Sequence, residues 1–210
     1  MKLQLALDTL SLEESIRLVN ELGSYVDIIE VGTPMIMEYG LEAVRRMKAA
    51  YPQKTVLADV KIMDAGRYEA DKCFDAGADI VTVLGVSHDL TIAGALQSAR
   101  KHGGKLMVDM IEAQPFEKRV SEIDDLGVDI ICVHTAFDVK TTGRDSFAEL
   151  RMTNQTVKNA MVALAGGITP KNLHSAIEIG ADIVVVGSAI INAPDSLAVT
   201  RAMKEQMDNE

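Results

Sequence analysis

The chain has 210 residues, and 48% of them are hydrophobic, which is enough to build the core of a large domain. Its net charge of −10 argues against nucleic-acid binding, which requires a basic surface. No apolar run reaches the roughly 18 residues of a membrane helix, and Asp8 interrupts the first segment too early for a secretory signal. The two cysteines, Cys73 and Cys132, lie in apolar segments and predict reduced core residues of a cytoplasmic protein.

Eight short apolar runs are spaced along the chain and predict β-strands. Four of them begin with variants of one sequence motif, in which an aspartate precedes a run rich in Ile and Val. Those aspartates are Asp27, Asp79, Asp129 and Asp182, which lie 52, 50 and 53 residues apart. The eight runs cover residues 5–8, 25–32, 56–61, 78–85, 106–110, 128–134, 162–167 and 181–187. The chain therefore divides into four similar quarters of two strands each.

Helical patterns fill the gaps between these runs. Ser11 and Glu14 form a capping box before the first helix, and Gly23 ends it. Pro170 predicts the start of a later helix that ends before Gly180. The other predicted helices cover residues 41–49, 68–76, 91–102, 116–126, 147–158 and 195–207.

Strands that are apolar throughout, each followed by a helix, indicate a parallel sheet covered by helices. Eight such units in fourfold order favour a closed (β/α)₈ TIM barrel over an open doubly wound sheet. No linker or low-complexity tract divides the chain, so we expect one barrel domain over residues 1–210. One long polar connection, residues 136–146, is either a mobile loop over the barrel mouth or a surface loop without a role.

Charged residues collect where the predicted strands end, which is where barrels of this kind place their active sites. Several of these residues are carboxylates, which repel one another unless a cation lies among them. Glu30 and Asp59 are hard oxygen donors that suit Mg²⁺, and no Cys or His cluster favours zinc. A carboxylate–lysine network without metal is the alternative. The strand-end residues are Asp8, Glu30, Asp59, Lys61, Asp64, Asp109 and His134.

Asp59 and Lys61 lie two residues apart on one strand, so both side chains point to the same side. They form either an ion pair that closes the strand or part of an active site. A Schiff-base role for Lys61 needs a neutral amine, whereas the flanking Asp59 and Asp64 favour the ammonium form. We therefore reject the Schiff base.

The seventh and eighth strands end in glycine instead of charge. Gly166 with Gly167, and Gly187 with Ser188, expose backbone N–H groups beside predicted helix starts, where a phosphate group is favoured. On the sixth strand, His134 lies on the same side as Cys132. A histidine there is either a hydrogen-bonded wall residue or a proton-transfer group.

These motifs resemble the orotidine 5'-monophosphate decarboxylase suprafamily over residues 3–193, nearly the whole chain. The segments Ile29–Pro34, Ala58–Ala65, Val83–Val86, Val108–Ile111 and Val133–Thr135 are similar to its 3-hexulose-6-phosphate synthase family. That resemblance implies Mg²⁺-dependent aldol condensation of D-ribulose 5-phosphate with formaldehyde, and the reverse cleavage. A sibling family, 3-keto-L-gulonate 6-phosphate decarboxylase, carries arginines where this chain has Phe137 and Ser188, so both positions favour the synthase.

The resemblance also implies residue roles. Glu30 and Asp59 would bind Mg²⁺, which with Lys61 would stabilise a 1,2-enediolate, and His134 would be the base. Asp64 would reach across a homodimer interface into the neighbouring site. Asp8 and Asp109 would hold sugar hydroxyls or order water.

Two other classes of function stay open at this stage. A sugar-phosphate isomerase or epimerase would use the same enediolate and the same barrel. A non-catalytic sugar-phosphate sensor would need no general base beside a metal, so the set of charges disfavours it.

Overall fold

The structure is a computed structural model that describes residues 1–139 and 145–209. Eight parallel strands form a closed barrel in chain order, and the last strand pairs with the first. The strands are β1 (Lys2–Leu7), β2 (Ile28–Val31), β3 (Thr55–Ile62), β4 (Ile80–Leu84), β5 (Lys105–Asp109), β6 (Ile130–His134), β7 (Met161–Ala165) and β8 (Ile183–Val186). The helices are α1 (Leu12–Leu22), α2 (Thr33–Tyr39), α3 (Glu42–Ala50), α4 (Gly66–Asp75), α5 (Asp89–His102), α6 (Phe116–Asp125), α7 (Ser146–Thr156), α8 (Leu173–Ile179), α9 (Ser188–Ile191) and α10 (Ser196–Asp208). The predicted (β/α)₈ TIM barrel is confirmed.

The helices differ from the prediction in two respects. The short helices α2 and α9 were not predicted, because 7 and 4 residues are too few to show a helical period. Pro170 does not begin a helix, since α8 starts at Leu173. The reason is a turn that the Asn172 side chain stabilises. This side chain accepts a hydrogen bond from the N–H of Thr169 at 2.7 Å and donates one to the backbone oxygen of Gly167 at 3.0 Å.

The repeated aspartates bind the strands together at the N-terminal end of the barrel. Each one precedes an even-numbered strand and accepts the backbone N–H of the second residue of the preceding odd-numbered strand. The four pairs are Asp27 with Leu3 at 2.8 Å, Asp79 with Val56 at 2.8 Å, Asp129 with Leu106 at 2.9 Å and Asp182 with Val162 at 2.8 Å. The repeated aspartates therefore have a structural role, at the barrel end that contributes to stability and not to catalysis.

The barrel interior changes from apolar to polar between its two ends. Near the N-terminal end, one residue from each even-numbered strand forms an isoleucine layer: Ile28, Ile80, Ile130 and Ile183. Farther along the strands, Gln4, Glu30 and Thr82 are buried polar residues. The larger apolar cluster fills the space between strands and helices, where alternate strand residues point outward. The polar side chains therefore lie toward the C-terminal end of the barrel.

Cys73 and Cys132 are free and buried, as predicted. Burial raises the pKa of the Cys73 thiol to about 12 and that of Cys132 well above its usual value.

Within residues 1–139 and 145–209, no helix combines the length and the apolar character that crossing a membrane requires.

We expect Asp182→Ala to lower the free energy of unfolding by about 1–2 kcal/mol, because the buried Val162 N–H loses its acceptor. Asp182→Asn keeps an acceptor oxygen and should lose less. Urea denaturation of both variants measures the difference. Equal losses in the two variants would mean that the charge, and not the hydrogen bond, stabilises this end of the barrel.

Candidate active site

A cavity of about 520 Å³ opens at the C-terminal ends of the strands. Ten of the eleven predicted site residues line it: Asp8, Glu30, Asp59, Lys61, Asp109, His134, Gly166, Gly167, Gly187 and Ser188. Asp64 is the exception. It is exposed, it does not line the cavity of its own chain, and its carboxylate accepts the N–H of Ala65 at 2.7 Å.

Asp59 is held on both sides of its carboxylate. The Thr82 hydroxyl donates to Oδ1 at 2.8 Å, and the Thr33 hydroxyl lies 2.9 Å from Oδ2. The Lys61 ammonium also donates to Oδ2. These donors satisfy a carboxylate that is only 6% exposed and would otherwise be costly to bury.

Lys61 lies at an irregular point of β3. The pairing of β3 with β4 shifts register between Ala58 and Ile62, and Lys61 has a φ of 48°. Its Nζ contacts Asp59 and lies 3.6 Å from Oδ2 of Asp109. Burial lowers the pKa of Lys61, but the Asp59 and Asp109 carboxylates outweigh burial and raise that pKa above its ordinary value. The side chain is therefore an ammonium group, in agreement with the rejection of a Schiff base.

Asp109 connects Lys61 to His134. Nδ1 of His134 lies 3.0 and 2.9 Å from the two carboxylate oxygens of Asp109. Burial raises the pKa of Asp109, but the hydrogen bond and charge of His134, together with Lys61, bring it below its usual value. A carboxylate at Nδ1 places the ring proton there, which leaves Nε2 of the neutral ring as a proton acceptor.

Glu30 is buried without an ion-pair partner among residues 1–139 and 145–209. Its carboxylate accepts a hydrogen bond from the amide Nε2 of Gln4 at 2.7 Å. The pKa of Glu30 is raised well above its usual value, mainly by burial and in addition by the charge of Asp59. The same two causes raise the pKa of Asp8. A cation between these carboxylates would relieve the repulsion.

The donor set fits Mg²⁺ better than a metal that needs a protein cage. In the part of the chain that the structure describes, no three His, Cys, Asp or Glu side chains form a ligand group. Mg²⁺ needs only one or two carboxylates, with water and substrate oxygens as its other ligands. Glu30 and Asp59 supply those carboxylates, and the buried Oε1 of Gln4, which has no hydrogen-bond partner, offers an acceptor for water at the same depth.

The glycine-rich ends reach the cavity, but only one of them lies at a helix start. Gly187 is the N-cap of α9, whereas α8 begins at Leu173, well beyond Gly166 and Gly167. The prediction of a helix start next to Gly166 was therefore wrong. Gly166 has a φ of 94°, and a Cβ there would lie 2.5 Å from the oxygen of Thr135. Only glycine fits this close turn.

Sequence reasoning missed five polar residues of the cavity wall: Gln4, Thr9, Thr33, Thr82 and Thr135. It considered charged residues and glycines at strand ends. The available signal was a polar residue inside an apolar strand, as in Leu3-Gln4-Leu5 and Val81-Thr82-Val83.

The predicted loop over residues 136–146 is described only in part. Phe137 begins a 3₁₀ turn (Phe137–Val139), is 79% exposed and lines the cavity mouth. Residues 140–144 lie outside the described residues. The chain resumes at Asp145, whose side chain caps α7.

Comparison with known proteins identifies the family. The family model described as "Orotidine 5'-phosphate decarboxylase / HUMPS family" matches residues 1–203. The chain belongs to this family. A 3-hexulose-6-phosphate synthase of Bacillus subtilis is 49% identical over 205 residues, which cover 98% of each chain.

Solved structures of the orotidine 5'-phosphate decarboxylase / HUMPS fold agree with this membership. The crystal structure of 3-hexulose-6-phosphate synthase from Salmonella typhimurium has a TM-score of 0.96 and 41% identity, covering 100% of this chain and 99% of that one. The 3-keto-L-gulonate-6-phosphate decarboxylase from Vibrio cholerae has a TM-score of 0.87 and 26% identity, covering 99% and 97%. The synthase is thus the nearer of these two structures in both fold and sequence.

The raised pKa of Glu30 predicts a pH-dependent effect in metal-free protein. A carboxyl whose pKa is raised by folding contributes stability that is complete below its unfolded value of 4.5 and is lost as pH rises through its folded value. We therefore expect Glu30→Gln to gain stability over wild type as pH rises from about 5 to about 7.5 in EDTA. Thermal melts at both pH values measure this gain. A gain of the same size at both pH values would contradict a raised pKa.

Proposed function

We propose that this chain is a 3-hexulose-6-phosphate synthase, an aldolase that joins D-ribulose 5-phosphate to formaldehyde and also catalyses the reverse cleavage. The observation that carries the proposal is the end-to-end similarity to proteins of that name, at 49% identity for the Bacillus subtilis relative. The cavity supports it independently, because it combines a proton acceptor, an ammonium group and a carboxylate pair suited to Mg²⁺.

The proton acceptor is His134. Its Nε2 takes a proton from carbon 1 of the ketopentose, and the electrons of that C–H bond form the enediolate. Carbon 1 then attacks the carbonyl carbon of formaldehyde, whose π electrons move to its oxygen. The protonated His134 returns a proton to that oxygen. Asp109 keeps Nδ1 protonated throughout, because its carboxylate remains hydrogen-bonded there.

The negative charge of the enediolate needs nearby positive charge. Lys61 supplies an ammonium group that its two carboxylate neighbours keep protonated. Glu30 and Asp59 would hold Mg²⁺, whose charge stabilises developing negative charge on substrate oxygens when the ion is bound. Asp8 and Asp109 face the sugar hydroxyls in this arrangement.

The phosphate group of the substrate lies against the glycine-rich side in this proposal. Gly166, Gly167, Gly187 and Ser188 line the cavity together at the ends of β7 and β8. Barrels commonly bind phosphate with the loops after these two strands, and N–H groups at the start of α9 have no partner within the helix.

The sibling decarboxylase activity is disfavoured at two positions. Phe137 and Ser188 line the cavity where the sibling family carries arginines. An isomerase or epimerase would instead act on ribulose 5-phosphate alone. Assays with ribulose 5-phosphate and Mg²⁺, with and without formaldehyde, separate these activities by their products.

We also propose a homodimer in which Asp64 acts in the neighbouring site. Exposed apolar side chains surround the segments that follow β2, β3 and β4: Met37, Met63, Tyr68, Val86 and Leu90, at 82%, 53%, 66%, 43% and 77% exposure. Asp64 lies among these segments and outside its own cavity. An apolar contact there would bury the patch and bring Asp64 to a second chain.

A cytoplasmic location, which the two unpaired cysteines favour, belongs to the same proposal.

The first test of the mechanism is hydrogen exchange at carbon 1. In deuterated water without formaldehyde, wild type should exchange a carbon-1 hydrogen of ribulose 5-phosphate. His134→Asn should reduce exchange and condensation together, by about 10²–10⁴-fold, because the proton acceptor is lost. His174→Asn, an exposed histidine outside the cavity, is the control. Normal exchange with lost condensation would assign His134 to formaldehyde activation.

Metal binding is tested without catalysis. Mg²⁺ at about 100 times its Kd should stabilise wild type by about 2.7 kcal/mol through mass action. Glu30→Gln should need much more Mg²⁺ for the same rise in melting temperature, whereas the exposed control Glu21→Gln should behave as wild type. An unchanged Mg²⁺ response in Glu30→Gln would remove Glu30 from the metal site.

The shared site predicts that two inactive chains restore each other. Mixed Lys61→Ala and Asp64→Asn chains should regain activity, because one site of the heterodimer then has both residues intact. Lys61→Ala mixed with His134→Asn is the control, since both residues belong to one cavity and every site keeps a defect. Verified heterodimers of the first pair that stay inactive would exclude sharing of Asp64.

A further inference from the structure

We propose that Thr82 is a positioning residue, whose hydroxyl holds the strained backbone of Lys61 and the carboxylate of Asp59 in one arrangement. Thr82 lies on β4, is 3% exposed and lines the cavity. Its Oγ1 is 2.9 Å from the backbone nitrogen of Lys61 and 2.8 Å from Oδ1 of Asp59. The catalytic part of this inference rests on the proposed function, whereas the structural part does not.

The direction of both hydrogen bonds follows from the inventory of donors. A threonine hydroxyl has one hydrogen and two lone pairs. The backbone N–H of Lys61 can only donate, so Thr82 accepts from it. The carboxylate of Asp59 can only accept, so the single Thr82 hydrogen goes to Oδ1. One side chain on β4 therefore links the main chain of one site residue to the side chain of another.

The backbone of Lys61 needs this support because β3 is irregular there. Its φ of 48° is left-handed, which is unfavourable for a residue with a side chain. The register shift between Ala58 and Ile62 removes the regular ladder at this point. The Lys61 N–H instead bonds to Thr82, and a buried N–H without a partner would be costly.

The conformation of Lys61 decides where its charge lies. From this backbone, Nζ contacts Asp59, lies 3.2 Å from Oγ1 of Thr33 and lies 3.6 Å from Oδ2 of Asp109. The Thr33 hydroxyl lies 2.8 Å from the backbone oxygen of Asp59 and 2.9 Å from its Oδ2, and Thr82 donates to Oδ1. Without the Thr82 hydroxyl, Oδ1 of Asp59 and the N–H of Lys61 both lose this hydrogen bond, so the carboxylate is held only through Oδ2 and the Lys61 backbone can relax and shift its ammonium group.

Packing alone does not require a hydroxyl at this position. Val81 and Val83, its neighbours, are fully buried apolar residues on the outer side of the strand. Valine has nearly the same shape as threonine, and serine keeps the hydroxyl but loses the methyl group. A packing role therefore predicts that Thr82→Val is milder than Thr82→Ser, and a positioning role predicts the opposite order.

The experiment compares Thr82→Val and Thr82→Ser in the carbon-1 exchange assay with ribulose 5-phosphate. Thr82→Val should lower the exchange rate by about 10–100-fold, which is the usual loss when a group that orients a metal-binding side chain is removed. The change in KM should be smaller. Thr82→Ser should recover most of that loss. Thr200→Val is the matched control, because Thr200 is fully buried and its hydroxyl bonds the oxygen of Ser196 at 2.7 Å, in α10.

A second measurement needs no substrate. Amide hydrogen exchange of the Lys61 N–H should be faster in Thr82→Val than in wild type, and Thr82→Ser should restore its protection. If Thr82→Val does not fold, Thr82→Ala serves as the hydroxyl-free variant in both measurements. Unchanged protection of this amide, or a Thr82→Ser variant as impaired as Thr82→Val, would overturn the proposal. Lost protection in a protein without synthase activity would support the positioning role and reject the proposed function alone.

Discussion

The half-buried ammonium group of Lys61 makes the interactions on which the rest of the site depends. Among the described residues that line the cavity, it is the single lysine or arginine, and it serves both Asp59 and Asp109. Burial alone would favour the neutral amine, but the two carboxylates keep the proton on Lys61. The same charge helps Asp109 stay ionised, and Asp109 in turn orients His134.

One ammonium group does not balance the carboxylates around it. Asp8 and Glu30 face the same cavity, and burial together with the charge of Asp59 raises the pKa of each. This surplus of negative charge gives a physical reason for a divalent cation at Glu30 and Asp59.

The two ends of the barrel use aspartate for different purposes. At the N-terminal end, the repeated aspartates accept backbone N–H groups and stabilise the strand pairs. At the C-terminal end, Asp59 and Asp109 bind side chains of the cavity. The isoleucine layer keeps the two sets apart within the barrel. Changes at one end can therefore alter stability with little effect on the chemistry proposed for the other.

The sequence by itself determined the barrel and the composition of its mouth. Continuous apolar runs, glycine stops and the capping box at Ser11 act locally, so they can be read without a structure. The rule that strand ends converge then brought Asp59, Lys61 and His134 to one mouth. Tertiary structure alone decided the contacts among them, because hydrogen bonds across strands depend on register. The left-handed backbone of Lys61 and the bonds from Thr82 to Asp59 and Lys61 arise where β3 leaves the regular ladder, whereas the pairing of Asp109 with His134 joins β5 to β6. The pairing of one strand with its neighbour decides that irregularity, which no local sequence signal encodes.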